Sequence, residues 1–162
     1  MLAFCGQDKC SIDANGRLKL SPRFLSDFDL ECSGGIVLHC LPEGAIAIYP
    51  EETYVQMRGA EARPAERAAS SIVFRRSLRR FGAMSQPQKI SKQGRLTLPP
   101  AYRDYADLQS GTDTVVVGVE VGVEIWNAQR WAEELNTING HITEKGDREM
   151  AEDLMNQNNE IS

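Results

Sequence analysis

The chain has 162 residues, of which 41% are apolar and 25% charged, and it carries a net charge of −5. These are the proportions of a soluble globular protein, with room for one ordinary domain or two small ones. No apolar run approaches the length of a membrane span, and Asp8 and Lys9 sit where the apolar core of a secretory leader would fall.

In chain order, a first strand is expected over about 4–12 and a second over about 17–20, joined by Asp13-Ala14-Asn15-Gly16. Asn-Gly marks a hairpin because Gly accepts positive φ without steric cost, and the Asp13 side chain can take the backbone N–H two residues on. Pro22 opens a short amphipathic helix, since its missing N–H costs nothing in a first turn. The break Cys32-Ser33-Gly34-Gly35 precedes strands near 36–40 and 45–49, which are separated by a turn at Pro42-Glu43-Gly44. Pro50 then opens a second helix through about Met57.

The stretch 58–63 reads as a linker, and Pro64 starts a helix that runs to Phe81 and ends at Gly82. Its apolar stripe changes face midway, from Ala65, Ala68, Ala69, Ile72 and Val73 to Phe74, Leu78 and Phe81, so the helix suits a bridge between two packing partners. Arg75, Arg76, Arg79 and Arg80 lie opposite the second stripe. Cations near a helix C-terminus are stabilised by its dipole, so a structural or assembly role for them ranks above direct contact with a ligand. Further on, strands fall at Val115-Val116-Val117 and at Val123-Glu124-Ile125-Trp126, followed by a helix from Ala128 to Leu135. Beyond Gly140 an Asn-rich, acidic tail has little to bury; a peripheral helix over 146–157 and a disordered end are expected.

The Asp13 turn occurs twice. Ser91-Lys92-Gln93-Gly94-Arg95-Leu96-Thr97-Leu98-Pro99-Pro100 repeats the Gly, Arg, Leu, Leu and Pro of the first copy at identical spacing, Pro100 answering to Pro22, with Ile12 before one and Ile90 before the other. The short helix, the Gly-containing break and the two later strands recur as well, with one residue of slippage near the end. An internal repeat sets the architecture. The chain therefore divides into a first module (1–58), a linker helix (59–82), a second module (83–135) and a polar acidic tail (136–162). Modules of roughly 50 residues bury too little surface alone, so they should pack together, exchange strands or oligomerise.

Charge distribution qualifies the net value. Residues 55–103 hold eleven Lys and Arg against Glu61 and Glu66, whereas the remainder carries seven basic and twenty-one acidic residues. Local sign determines which surface meets a polyanion. The arginine after each turn glycine, Arg17 and Arg95, is a planar donor array able to grip phosphate or the O6 and N7 of guanine. Lys19, Lys92 and Gln93 can add contacts from the same edge. A single such turn is better explained by a solvated hairpin, or by Arg17 paired to Asp13. Two in the same frame favour a ligand, and a two-stranded ribbon fits a major groove. The candidate DNA-binding set is Asp13, Asn15, Gly16, Arg17, Lys19, Lys92, Gln93, Gly94 and Arg95.

Other chemistries find little support. Cys5, Cys10, Cys32 and Cys40 form no Cys-x-x-Cys pair, and His39 and His141 are the only histidines. No metal, cofactor or small-molecule substrate is expected, and a reduced, cytoplasmic protein is the simplest reading. There is no phosphate-cradling Gly loop followed by Lys-Ser/Thr, and no nucleophile with a plausible base, so the chain does not read as an enzyme.

With these residues in place, positions 1–135 resemble the MraZ family, bacterial regulators built from two AbrB-type modules. Asp13 to Arg17 fits the family's Asp-x-x-Gly-Arg motif. Gln93 to Pro99, Tyr102-Arg103-Asp104-Tyr105-Ala106, Val116-Val117-Gly118, Glu124-Ile125-Trp126-Asn127 and Arg79-Arg80-Phe81 are similar to its later motifs. The resemblance implies an α+β fold of tandem swapped-hairpin AbrB-type β-barrel modules related by a pseudo-twofold. It implies a ring-shaped homo-oligomer that binds short G-containing direct repeats in double-stranded DNA, upstream of the division and cell-wall gene cluster. The expected role is then a nucleoid-associated transcriptional regulator, usually repressing. A ring-forming protein-interaction module and an AbrB-type antitoxin are the alternatives. Ser91 departs from the family's Asp, so the two turns are not expected to contribute equally.

Overall fold

A computed structural model describes residues 2–32 and 35–161. Ser33 and Gly34, in the expected break at 32–35, lie outside the described residues. The chain forms two compact units, Met1–Ala128 and Gln129–Ser162.

The first unit contains β1 (Gln7–Ser11), β2 (Arg17–Lys19), α1 (Pro22–Glu31), β3 (Gly35–Cys40), β4 (Ile46–Pro50) and α2 (Glu51–Arg58). After them come α3 (Pro64–Ser70), α4 (Ile72–Gly82), β5 (Ser85–Lys89), β6 (Arg95–Thr97), α5 (Pro100–Ala106), β7 (Asp113–Gly118) and β8 (Val123–Asn127). Prolines open α1, α3 and α5 as expected. The Ser21 hydroxyl also caps α1, taking the Phe24 N–H at 3.4 Å.

Six strands form one antiparallel sheet in the order β1-β7-β8-β4-β3-β5, and β2 pairs only with β6. The pairing respects the repeat. β1 of the first half lies against β7 of the second, and its counterpart β5 lies against β3 of the first. The hairpin β3–β4 has its twin in β7–β8, and β4 meets β8 at the centre. The sheet thus mixes both halves.

Two expectations need correction. Among the described residues no closed barrel forms: β2 and β6 are only three residues long, and they pair with one another instead of bridging the sheet ends. The helix expected over 64–81 is two helices. Ser71 adopts extended backbone (φ −129°, ψ 117°) and its hydroxyl takes the Phe74 N–H at 3.1 Å, ending α3 and capping α4. That break falls where the apolar stripe changes face.

One face of the sheet supports the core. Ile36, Leu38, Cys40, Ile46, Ile48, Val116 and Ile125 pack with Phe24 and Phe28 of α1, Tyr102 and Ala106 of α5, and Leu18, Leu20, Leu96 and Leu98 of the ribbon. Each fully buried leucine contributes about 1.5–3 kcal/mol. The alternate residues of β3 and β4, among them Val37, His39 and Tyr49, are buried on the other face, near α2 and α4. There His39 stacks on Phe81 at 5.5 Å and lies 5.8 Å from Tyr54. Its Nδ1 shares a 2.7 Å hydrogen bond with the Ser85 hydroxyl.

The second unit continues α6 (Ala128–Ile161), a single helix of 34 residues. The helix expected to stop at Leu135 therefore runs on, and the tail expected as a partly disordered segment is helical through Ile161. Gly140 and Gly146 each weaken a helix by about 1 kcal/mol relative to Ala, but they do not break it. An Arg148–Glu144 pair at 3.4 Å, one turn apart, offers local support.

Candidate nucleic-acid interface

The site is built outward from two buried leucines. In the β2–β6 ribbon, Leu18 faces Leu96, Arg17 faces Thr97 and Lys19 faces Arg95. Leu18 and Leu96 are 2% and 1% exposed. Side chains alternate across a strand, so Arg17, Lys19, Arg95 and Thr97 share the opposite, outward face. The ribbon is longer than its strands. The Leu20 N–H donates to the Gly94 carbonyl at 2.9 Å and the Leu98 N–H to the Gly16 carbonyl at 2.8 Å, so each turn is tied to the returning strand of the other half.

Both turns fold alike. Gly16 has φ +76° and Gly94 φ +82°, the left-handed region that glycine favours. Gly16 N–H donates to the Asp13 carbonyl at 3.0 Å, and Gly94 N–H to the Ser91 carbonyl at 2.9 Å. In the first turn Asp13 Oδ1 accepts the N–H groups of Asn15 (2.8 Å) and Arg17 (2.9 Å), while Oδ2 accepts Arg17 Nε at 3.0 Å. The Arg17 N–H above all, with the Arg17 side chain and the Asn15 N–H, holds the Asp13 carboxyl below the usual carboxylate range. In the second turn the Ser91 hydroxyl takes the Arg95 N–H at 2.9 Å.

The structure brings Arg17, Gln93 and Arg95 of the expected set together. They line a shallow groove of about 380 Å³ with Ser91, Thr97, Gln88, Lys89 and Ile90. Asp13, Asn15 and Lys92 are exposed on the turns and Lys19 on the ribbon, outside that groove, while Gly16 and Gly94 are buried beneath the tips.

Four residues join the surroundings of the turns without having been placed in the candidate set. Gln88 and Lys89 arrive because β5 pairs with β3 and ends beside the second turn; Gln88 Nε2 donates to the Thr97 carbonyl at 2.8 Å. Arg103 of α5 covers the first turn. A Cβ on Gly16 would lie 2.6 Å from its guanidinium carbon, and its Nε donates to the Leu98 carbonyl at 3.1 Å. Leu25 of α1 occupies the equivalent place over Gly94, with Cδ2 3.2 Å from such a Cβ. The available signal was position: Leu25 and Arg103 follow the two helix prolines at the same distance.

The arginines of the linker region are largely engaged elsewhere. Arg75 donates to the Ala68 carbonyl at 2.8 Å and Arg80 to the Cys40 carbonyl at 2.6 Å. Arg58 lies 3.7 Å over the Phe81 ring, and Arg67 pairs with Glu61 at 2.6 Å. Among the described residues no group of three His, Cys, Asp or Glu side chains is arranged to hold a metal ion, and no helix is long and apolar enough to cross a membrane.

Fold and site together define an internally duplicated α+β protein that displays a basic two-stranded ribbon. Residues 83–153 match the family model described as "MraZ protein, putative antitoxin-like". The chain is 33% identical over 130 residues to the transcriptional regulator MraZ of Corynebacterium glutamicum (strain R), covering 80% of this chain and 84% of that protein. It is 32% identical over 128 residues to the transcriptional regulator MraZ of Cutibacterium acnes, covering 79% and 84%. It is 30% identical over 150 residues to the transcriptional regulator MraZ of Mycobacterium avium (strain 104), covering 92% and 98%. The chain belongs to the MraZ family.

Proposed function

We propose that this protein is a transcriptional regulator that reads double-stranded DNA through the β2–β6 ribbon. One observation carries the reading: Arg17 and Arg95, from the two halves, stand on one outward face of a ribbon whose inner face is fixed by Leu18 and Leu96. A ribbon of this width enters a major groove, where arginine binds guanine O6 and N7. Lys19, Lys89 and Lys92 supply cations for phosphates; such contacts set register and affinity, while base-edge contacts specify sequence. The names of the relatives, transcriptional regulators, agree with this role.

Under this reading the exchanged pairing of β1 and β5 is the swapped-hairpin exchange of two AbrB-type modules, 1–58 and 83–135, joined through 59–82. Several copies assemble into a ring that repeats the ribbon, so that short G-containing direct repeats are engaged at high effective concentration. The sites lie upstream of the division and cell-wall gene cluster, which the protein represses from the cytoplasm in association with the nucleoid. Catalysis plays no part in this role.

A mobility-shift assay on the region upstream of the protein's own gene tests it, with scrambled duplex as competitor and mass measured in solution. Preference for the native duplex by orders of magnitude, from a multimeric species, is the expected result. Equal competition by scrambled duplex would reject it in favour of a protein-interaction module. The antitoxin alternative, which the wording of the family description favours, predicts instead a small toxin gene beside this one.

A further inference from the structure

The two turns are built on the same backbone but treat their arginines differently. Asp13 binds the Arg17 guanidinium through Nε at 3.0 Å, in addition to two backbone N–H groups. The grip engages Nε and leaves the two terminal Nη amines of Arg17 without a hydrogen-bond partner among the described residues, and the edge they form matches the O6 and N7 of guanine. It also fixes side-chain angles before any ligand arrives, so less rotamer freedom is lost on binding. The carboxylate repels a phosphate that approaches the same turn.

Arg95 meets opposite conditions. Ser91 takes its backbone N–H but brings no charge, and among the described residues no hydrogen bond or ion pair holds its guanidinium. Arg95 faces Lys19 across the ribbon and shares the groove with Lys89. An untethered guanidinium among lysines finds phosphate oxygens in many geometries and discriminates little between bases.

We propose that the two turns divide the work: Arg17, held by Asp13, is the specificity-determining residue that binds a guanine edge, and Arg95 anchors the phosphate backbone. This rests on the DNA-reading function proposed above and assigns a different role to each half of a repeat.

The test uses the full chain, fluorescence anisotropy and two duplexes, the native upstream region and a scrambled sequence of equal composition, across a series of KCl concentrations. Lysine keeps the charge but loses the planar fork. Arg17→Lys is expected to weaken binding to the native duplex by about tenfold or more and to change scrambled binding by less than about twofold. Arg95→Lys is expected to leave the native-to-scrambled ratio intact. Arg95→Gln should weaken both duplexes alike and reduce the salt slope by about 1. Asp13→Ser should lower the ratio by strengthening scrambled binding. Should that variant fail to fold by circular dichroism, Ser91→Asp asks the reciprocal question and should weaken scrambled binding. The division is overturned if Arg95→Lys collapses the ratio as far as Arg17→Lys does, or if Arg17→Lys weakens both duplexes equally. A wild-type protein with no preference for the native duplex rejects the DNA-reading function itself, and the division with it.

Discussion

Replacing Gly118 by alanine probes the exchange of strands that brings the two turns together. A Cβ at this position would stand 2.3 Å from the Phe4 carbonyl oxygen, 2.4 Å from its carbon and 2.6 Å from Cys5 N, all backbone atoms that no rotamer change can move. To reach the 3.4 Å of ordinary contact, the segment before β1 must retreat from β7 by about 1.1 Å. That retreat strains the 2.9 Å bond from Glu120 N–H to the Phe4 carbonyl and the 2.8 Å bond from Gly118 N–H to the Gly6 carbonyl. It also pulls on the Phe4 ring, which is 2% exposed and lies 4.7 Å from Phe28. Overpacking of this kind costs about 1–3 kcal/mol, and complete loss of a buried Phe about 3–5 kcal/mol. A destabilisation of about 3 kcal/mol is expected, a fall in Tm of about 10 °C for a unit of this size. Gly111 provides the control: it has φ +81° with nothing within 4 Å of its Cβ, so Gly111→Ala carries only backbone strain of about 1–2 kcal/mol. Scanning calorimetry of both variants decides the matter. A Gly118→Ala Tm no lower than that of Gly111→Ala would refute the close approach of the two halves.

Two further outcomes follow from titratable groups. Burial, with Arg80 and Arg58 adding to it, pushes His39 below its ordinary value of 6.5, so the folded protein keeps the ring neutral while the unfolded chain takes up a proton. The contribution of His39 to stability is therefore full above about 6.5 and lost as pH falls from there through the folded-state value. Melting temperature measured between pH 7.5 and 5 should show a slope that His39→Gln reduces; identical slopes would count against a buried neutral imidazole. Burial first, then the Asp8 carboxylate, raises the Cys10 thiol to about 11, which leaves about one part in a thousand as thiolate at pH 8. Iodoacetamide followed by mass spectrometry should find Cys10 modified at least about 100-fold more slowly in the folded than in the unfolded protein. Equal rates would show the thiol to be open to solvent.

The legible parts of this structure were the local ones. The Asp13 turn announced itself because its hydrogen bonds close within four residues, and the prolines at 22, 64 and 100 mark helix starts by what they lack. The repeat placed Arg17 and Arg95 in equivalent frames. What no local pattern states is which partner a strand takes: β2 and β6 pair with each other, and β1 leaves its own half for β7. For the same reason Arg103 stayed out of the candidate set, since tertiary packing carries it over the first turn; Gln88 and Lys89 directly precede the second turn, but nothing local shows that they line the groove beside Arg17. Ser71 carried a readable signal, a helix-capping hydroxyl placed where the apolar stripe changes face, but the continuous run of helix formers around it masked the break. In α6 the opposite error arose: an Asn-rich, acidic composition with little to bury suggests a helix that stops at Leu135 and a loosely structured tail, yet one 34-residue helix runs through it.

Guanine N7 is the atom on which a ribbon-borne arginine must depend if it reads bases from the major groove. The most direct measurement is therefore the affinity of the wild-type protein for its upstream duplex with the guanines of the bound repeats replaced by 7-deazaguanine, which removes N7 and preserves Watson–Crick pairing. A loss of about tenfold or more is expected for the wild type, with little further loss for Arg17→Ala, which has already forfeited the contact. Unchanged wild-type affinity, or the same loss in Arg17→Ala, would contradict direct readout by Arg17.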